Sequence, residues 1–119
     1  MEIIRVTIAK DSNTVKYIKL IREFEPSLSM GEIKAHIENG EPVISFDMDS
    51  NDWIHMEDMT EEKWQLGFYS FLDKLRKSGA VLTLTEEYAG KCEDITMEQL
   101  ADEIRNNKEL WDELETYPD

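Results

Sequence analysis

Apolar positions in the first part of the chain follow two periods. Ile4, Val6 and Ile8 alternate with Arg5 and Thr7, the period-two pattern of a strand with one buried face. Val15, Ile18, Ile21 and Phe24 then recur at helical spacing, and after a break at Glu25-Pro26-Ser27 so do Met30, Ile33 and Ile37. Asp11-Ser12-Asn13-Thr14 supplies N-cap residues for the first of these helices. Pro26 ends it, because the residue before a proline is pushed out of the α region. Ser29 with Glu32 three positions later forms a capping box that opens the second helix, and Asn39-Gly40 stops it.

Residues 42–48 predict a short edge strand, with proline tolerated at its start. Residues 47–59 are polar and acidic, interrupted by Trp53, Ile54 and Met56. Thr60-Glu61-Glu62 opens a third helix whose stripe is Trp64, Phe68, Phe71, Leu72 and Leu75. Lys74, Arg76 and Lys77 complement the dipole in its last turn, and Gly79 terminates it. Residues 81–85 read as a third strand. In the tail, Thr96 and Gln99 make a second capping box ahead of Met97, Leu100, Ala101 and Ile104. A short helical pattern resumes after Asn106-Asn107 with Leu110, Trp111 and Leu114.

The expected fold class is therefore α+β. Strands 3–8, 43–48 and 81–85 form a three-stranded sheet with at least one antiparallel pair, and three helices pack on one face. The expected organisation is a domain at 1–86 with an acidic insert at 47–59, followed by an acidic helical extension at 87–119 packed on it.

The element order over residues 3–85 resembles the C-terminal domain of the bacterial ribosomal stalk protein. Two local matches carry this. Ile18-Lys19-Leu20-Ile21-Arg22, Leu28-Ser29-Met30-Gly31-Glu32-Ile33-Lys34 and Glu38-Asn39-Gly40 look like that family's helical hairpin. Leu72-Asp-Lys-Leu-Arg-Lys-Ser-Gly79-Ala80-Val81 looks like its last helix running into its last strand. The resemblance implies a β-α-α-β-α-β fold and a hairpin that recruits translational GTPases through exposed basic residues. Lys19, Arg22 and Lys34 match that surface by position.

Charge changes the picture most. The net charge is −14, and it is unevenly placed. Residues 41–62 hold eight acids and no Lys or Arg, and residues 86–119 hold twelve acids against three basic residues. Such a chain is repelled by nucleic acid and by anionic membrane, so neither is an expected partner. A basic protein is. With Cys92 the only cysteine, no internal disulfide forms, and with neither a signal-peptide pattern nor a membrane-spanning run the expected location is a reducing cytoplasm.

Candidate chemistry is sparse. Asp47, Asp49 and Asn51, with Ile54, follow positions one, three, five and eight of a calcium-binding EF-hand loop. Asp52 stands where the sharp turn demands glycine, and Asp58 is shorter than the bidentate glutamate, so calcium affinity no better than millimolar is expected. His36 reads as a helix-surface residue, and His55 has no second histidine nearby. Cys92 lacks metal-ligand spacing and lies among acids that raise a thiol pKa. The adjacent pairs Glu61-Glu62 and Glu86-Glu87 read as solvated charge. No metal, cofactor or catalytic residue is expected.

These readings favour a non-enzymatic, acidic protein-binding domain that engages a basic protein. Its expected contact residues are Asp47, Asp49, Asp52, Trp53, Glu57, Asp58 and Trp111, since aromatic anchors dominate many interfaces. By analogy of charge, not of motif, bacterial immunity and inhibitor proteins are of this kind, with a nuclease-type toxin as one concrete target. The alternative is a stalk-like module recruiting a translational GTPase through Lys19, Arg22 and Lys34.

Overall fold

Ile4, Val6 and Ile8 are fully buried, and the strand that carries them is the centre on which the other elements assemble. The computed structural model describes residues 2–49 and 56–116, with the backbone alone for 107–116. Strand β1 (Glu2–Ile8) lies between β2 (Ile44–Asp47) and β3 (Leu82–Tyr88), and β3 pairs outward with β4 (Lys91–Ile95). The order is β2-β1-β3-β4, and every pair is antiparallel. The helices are α1 (Thr14–Phe24), α2 (Met30–Asn39), α3 (Glu61–Lys77) and α4 (Met97–Thr116). The α+β class is as expected, but the described residues form a four-stranded sheet instead of a three-stranded one, and the fourth helix, α4, lies within the expected helical extension. From β1 to β3 the elements follow the expected order.

Alternation decides which face is covered. Ile4 stands opposite Phe46 on one side and Glu86 on the other, and Val6 stands opposite Ile44 and Leu84. These side chains share one core with Tyr17, Ile18 and Ile21 of α1, Ile33 and Ile37 of α2, Phe68, Phe71, Leu72 and Leu75 of α3, and Leu100 and Ile104 of α4. Full burial of one such aliphatic or aromatic side chain contributes about 1.5–3 kcal/mol. The other face presents Ile3, Arg5, Thr7, Thr83, Thr85 and Glu87, none of them buried, with an ion pair between Arg5 and Glu87 at its centre.

Local rules fix the element ends. The Ser29 hydroxyl accepts the Glu32 N–H at 3.1 Å, and Gly40 closes α2 at φ 68°. Thr60 caps α3 by accepting the Lys63 N–H at 3.1 Å. Thr96 and Gln99 cap α4 reciprocally, at 2.8 and 3.0 Å. Gly79, at φ 100°, passes close to the Tyr17 hydroxyl, where a β-carbon would sit 3.5 Å away.

Three expectations need correction. The helical extension does not begin at 87: β3 runs on to Tyr88, turns at Ala89 and Gly90, and returns as β4. Both turn residues have positive φ, 51° and 79°, the pair of left-handed conformations of a type I′ two-residue hairpin loop. Four of the five β4 residues are exposed, so the strand carries no apolar alternation to betray it. The tail helix is also continuous, because Asn106-Asn107 lowers helix propensity without breaking the hydrogen-bond ladder. Finally, Val15 and Met30 are 64% and 53% exposed. Tyr17 takes the core position in α1, its hydroxyl donating to Asp11 at 2.8 Å, and burial followed by that bond raises its pKa.

Candidate functional site

The acid-only segment follows the outer strand β2 and runs into α3. The Asp47 carboxylate accepts the Asp49 N–H at 2.9 Å, and the Asp49 carboxylate accepts the Glu2 N–H at 2.9 Å. The chain leaving β2 is thus latched to the start of β1. Buried Gln65 of α3 adds a second tie, its side-chain amide donating to the Met48 carbonyl at 3.1 Å. Glu57 and Asp58 are exposed where the description resumes, and Asp58 adopts φ 58° while its carbonyl accepts the Lys63 ammonium at 3.0 Å. Glu61 and Glu62 occupy the first turn of α3, where the helix dipole favours negative charge. Burial, then the nearby Asp49 charge, raises the Glu61 carboxyl above its ordinary value.

A second group of acids lies on the covered face. Glu2 shares the phase of Ile4 and Val6, Glu86 stands opposite Ile4, and Glu103 falls between Leu100 and Ile104 on α4. One carboxylate oxygen from each lies within 4.8 Å of the others. Burial, then a hydrogen bond and the charge of Glu103, then Glu86 and Asp49, push the Glu2 carboxyl up to about 8. The Glu86 carboxyl is raised by burial, then by Glu103 and Glu93. No cation is among the causes for Glu2, Glu61 or Glu86. Ionised, Glu2, Glu86 and Glu103 are the hard oxygen donors that a divalent cation takes.

Glu2 and Glu103 were not singled out from sequence, and Glu86, read there with Glu87 as solvated charge, is half-buried instead. The signal available was phase: each is a carboxylate at a position where the strand or helix period calls for an apolar residue.

The expected contact residues divide. Asp47, Asp49, Glu57 and Asp58 lie on the segment between β1, β2 and α3, with Asp47 half-buried and the others exposed. Asp52, Trp53 and His55, and with them the centre of the candidate calcium loop, lie outside the described residues, as does the Trp111 side chain. Lys19, Arg22 and Lys34 are exposed on α1 and α2, with the Lys34 ammonium 4.0 Å from Glu38. His36 Nδ1 lies 3.9 Å from Glu41, and Cys92 is exposed on β4 opposite Glu87. Trp64 is half-buried and stacks on Phe46 with ring centroids 5.4 Å apart.

No helix among the described residues is long and apolar enough to cross a membrane. Comparison with protein-family models, with curated proteins and with solved structures returned no match.

Proposed function

We propose that this protein is a non-enzymatic binding domain whose acidic surface engages a basic protein. The observation that carries the reading is placement: residues 41–62 hold eight acids and no Lys or Arg, and of these Asp49, Glu57 and Asp58 are exposed. Such a concentration of like charge is unfavourable in the free protein and is relieved when cationic side chains approach. Its field raises the association rate with a basic patch, while aromatic anchors supply affinity. Asp47, Asp49, Asp52, Glu57 and Asp58 form the proposed contact set, with Trp53 and Trp111 as anchors. An immunity or inhibitor protein directed at a nuclease-type toxin fits this chemistry.

A second reading rests on the exposure of Lys19, Arg22 and Lys34 on the α1–α2 hairpin, the surface through which a stalk-like module recruits a translational GTPase. Charge reversal separates the two. A partner isolated from the native host and identified by mass spectrometry is titrated against Glu57→Lys/Asp58→Lys and against Lys19→Glu/Arg22→Glu. Under the first reading the acidic reversal slows association by about tenfold or more at low salt and the basic reversal leaves it nearly unchanged. The opposite pattern selects the hairpin. An association rate of the unaltered protein that does not fall with salt removes the charge argument.

A further inference from the structure

Among the described residues no strand pairs with the outer side of β2, whose outward backbone groups are placed to hydrogen-bond. The Met48 N–H bonds the Glu2 carbonyl, so Glu2, Ile4 and Val6 are the β1 residues that bond toward β2. The Ala9 N–H bonds the Val81 carbonyl, which turns the intervening odd positions of β1 toward β3. Ser45 and Asp47 stand opposite Arg5 and Ile3, in the pairs that do not bond across. Their N–H and C=O groups therefore point to the free edge.

Two hollows lie along that edge against the α1–α2 turn. One, of about 340 Å³, is lined by Ser27, Leu28, Pro42 and Val43. The other, of about 400 Å³, is lined by Phe24, Pro26, Phe46, Met56 and Trp64. Glu25, Ile44 and Ser45 border both. Side chains two residues apart on a strand project to the same face roughly 6.6 Å apart. Neighbouring hollows beside Ile44 and Phe46, the second of them mainly apolar, suit alternate residues of one more strand.

We propose that the β2 edge accepts an extended segment of the partner as a fifth strand, with alternating apolar and cationic side chains. This deepens the binding function proposed above and rests on it. The apolar set enters the two hollows, and the cationic set, on the opposite face, meets Asp47, in a stretch where residues 41–62 hold no Lys or Arg. Main-chain hydrogen bonds supply affinity and the hollows supply specificity, as in other recognition by strand addition. Charge argues against a second copy as occupant, because two chains of net charge −14 would be joined along their acid-bordered edges.

The probe is a fluorescein-labelled octapeptide alternating valine and lysine, with two controls: its twin N-methylated on alternate backbone nitrogens, and a valine–glutamate version. The protein variant is Ser45→Pro, because proline is tolerated on the open side of an edge strand and removes the outward N–H. The valine–lysine peptide is expected to bind at low salt and to slow amide exchange at Ser45 and Asp47. The N-methyl twin and Ser45→Pro are each expected to weaken it by roughly tenfold, with an unchanged melting temperature for the variant. Equal binding by the N-methyl twin overturns strand addition while leaving the acidic-surface reading intact. Equal binding by the valine–glutamate peptide, still sensitive to Ser45→Pro, overturns the charge reading on which the proposal rests. Absence of binding overturns the proposal, as does protection of those two amides in the free protein. A dimer in sedimentation equilibrium that Ser45→Pro dissociates assigns the edge to a second copy instead.

Discussion

The covered face of the sheet has two unlike halves, and one cross-strand row passes through both: Phe46, Ile4, Glu86 and Glu93. On the β2 side, Phe46 stacks on Phe68 with centroids 4.1 Å apart, and Phe24 stacks on Phe71 at 4.4 Å. On the β3 side, Glu86 meets Glu2 and Glu103 under α4. A single strand separates ring packing, which gains free energy from leaving water, from carboxyls that resist losing it. The ring contacts of the first half involve no ionisable group. The second half is most stable while the raised carboxyls of Glu2 and Glu86 keep their protons.

Removing a ring breaks the comparison hardest. Phe68→Ala should cost about 3–5 kcal/mol in denaturant unfolding, and the loss should be the same at acidic and mildly alkaline pH. A loss that changes with pH would mean that the halves are coupled through Ile4.

The carboxylate half gives the next effect. A Glu2 carboxyl raised from 4.5 to about 8 binds its proton more tightly in the folded state than in the unfolded one. Its stabilisation is therefore full below the ordinary value and is lost as pH rises through about 8. The raised carboxyls of Glu61 and Glu86 act in the same direction. The melting temperature should fall between mildly acidic and mildly alkaline pH. Glu2→Gln should flatten that fall and raise the melting point by a few degrees at the alkaline end only. A gain equal at both ends would indicate improved packing and not relief of charge.

The smallest effect sharpens the contrast. Thr96→Ala removes the acceptor for the Gln99 N–H and should cost about 1 kcal/mol. Because α4 covers the acidic half, looser docking should also reduce the pH dependence, measured as the slope of melting temperature against pH.

Much of the aromatic half was legible in the sequence. The α3 stripe, Pro26, the Ser29–Glu32 box and the glycine stops are local rules, and they held because packing asked for the same residues. In the acidic half the Thr96–Gln99 box and the Leu100 and Ile104 positions of α4 were legible too, but the rest was not, for a physical reason in each case. The β4 strand, Lys-Cys-Glu-Asp-Ile, is defined by its pairing to β3 and not by burial, so period-two reading passes over it. Ala89 takes a left-handed conformation that a residue with a β-carbon does not advertise. Glu2, Glu86 and Glu103 are distant in sequence, and only their shared phase with apolar neighbours places them together. In α1 the rotation that buries Tyr17 turns Val15 outward, a choice made by tertiary contact and not by period.

The central position of β1 also sets an order of events during synthesis. Its partner residues in β3 lie far along the chain, where the Arg5–Glu87 ion pair alone spans 82 positions. At roughly 5–20 residues per second, a ribosome takes several seconds to supply them. During that interval Ile4, Val6 and Ile8 have only β2 and the first helices to pack against, whereas β3 and β4 form a local hairpin as soon as both have emerged. Closure of the sheet is thus the meeting of an early half-sheet with a late hairpin, and the interval before it is when the apolar strand is most open to chaperones and to other nascent chains.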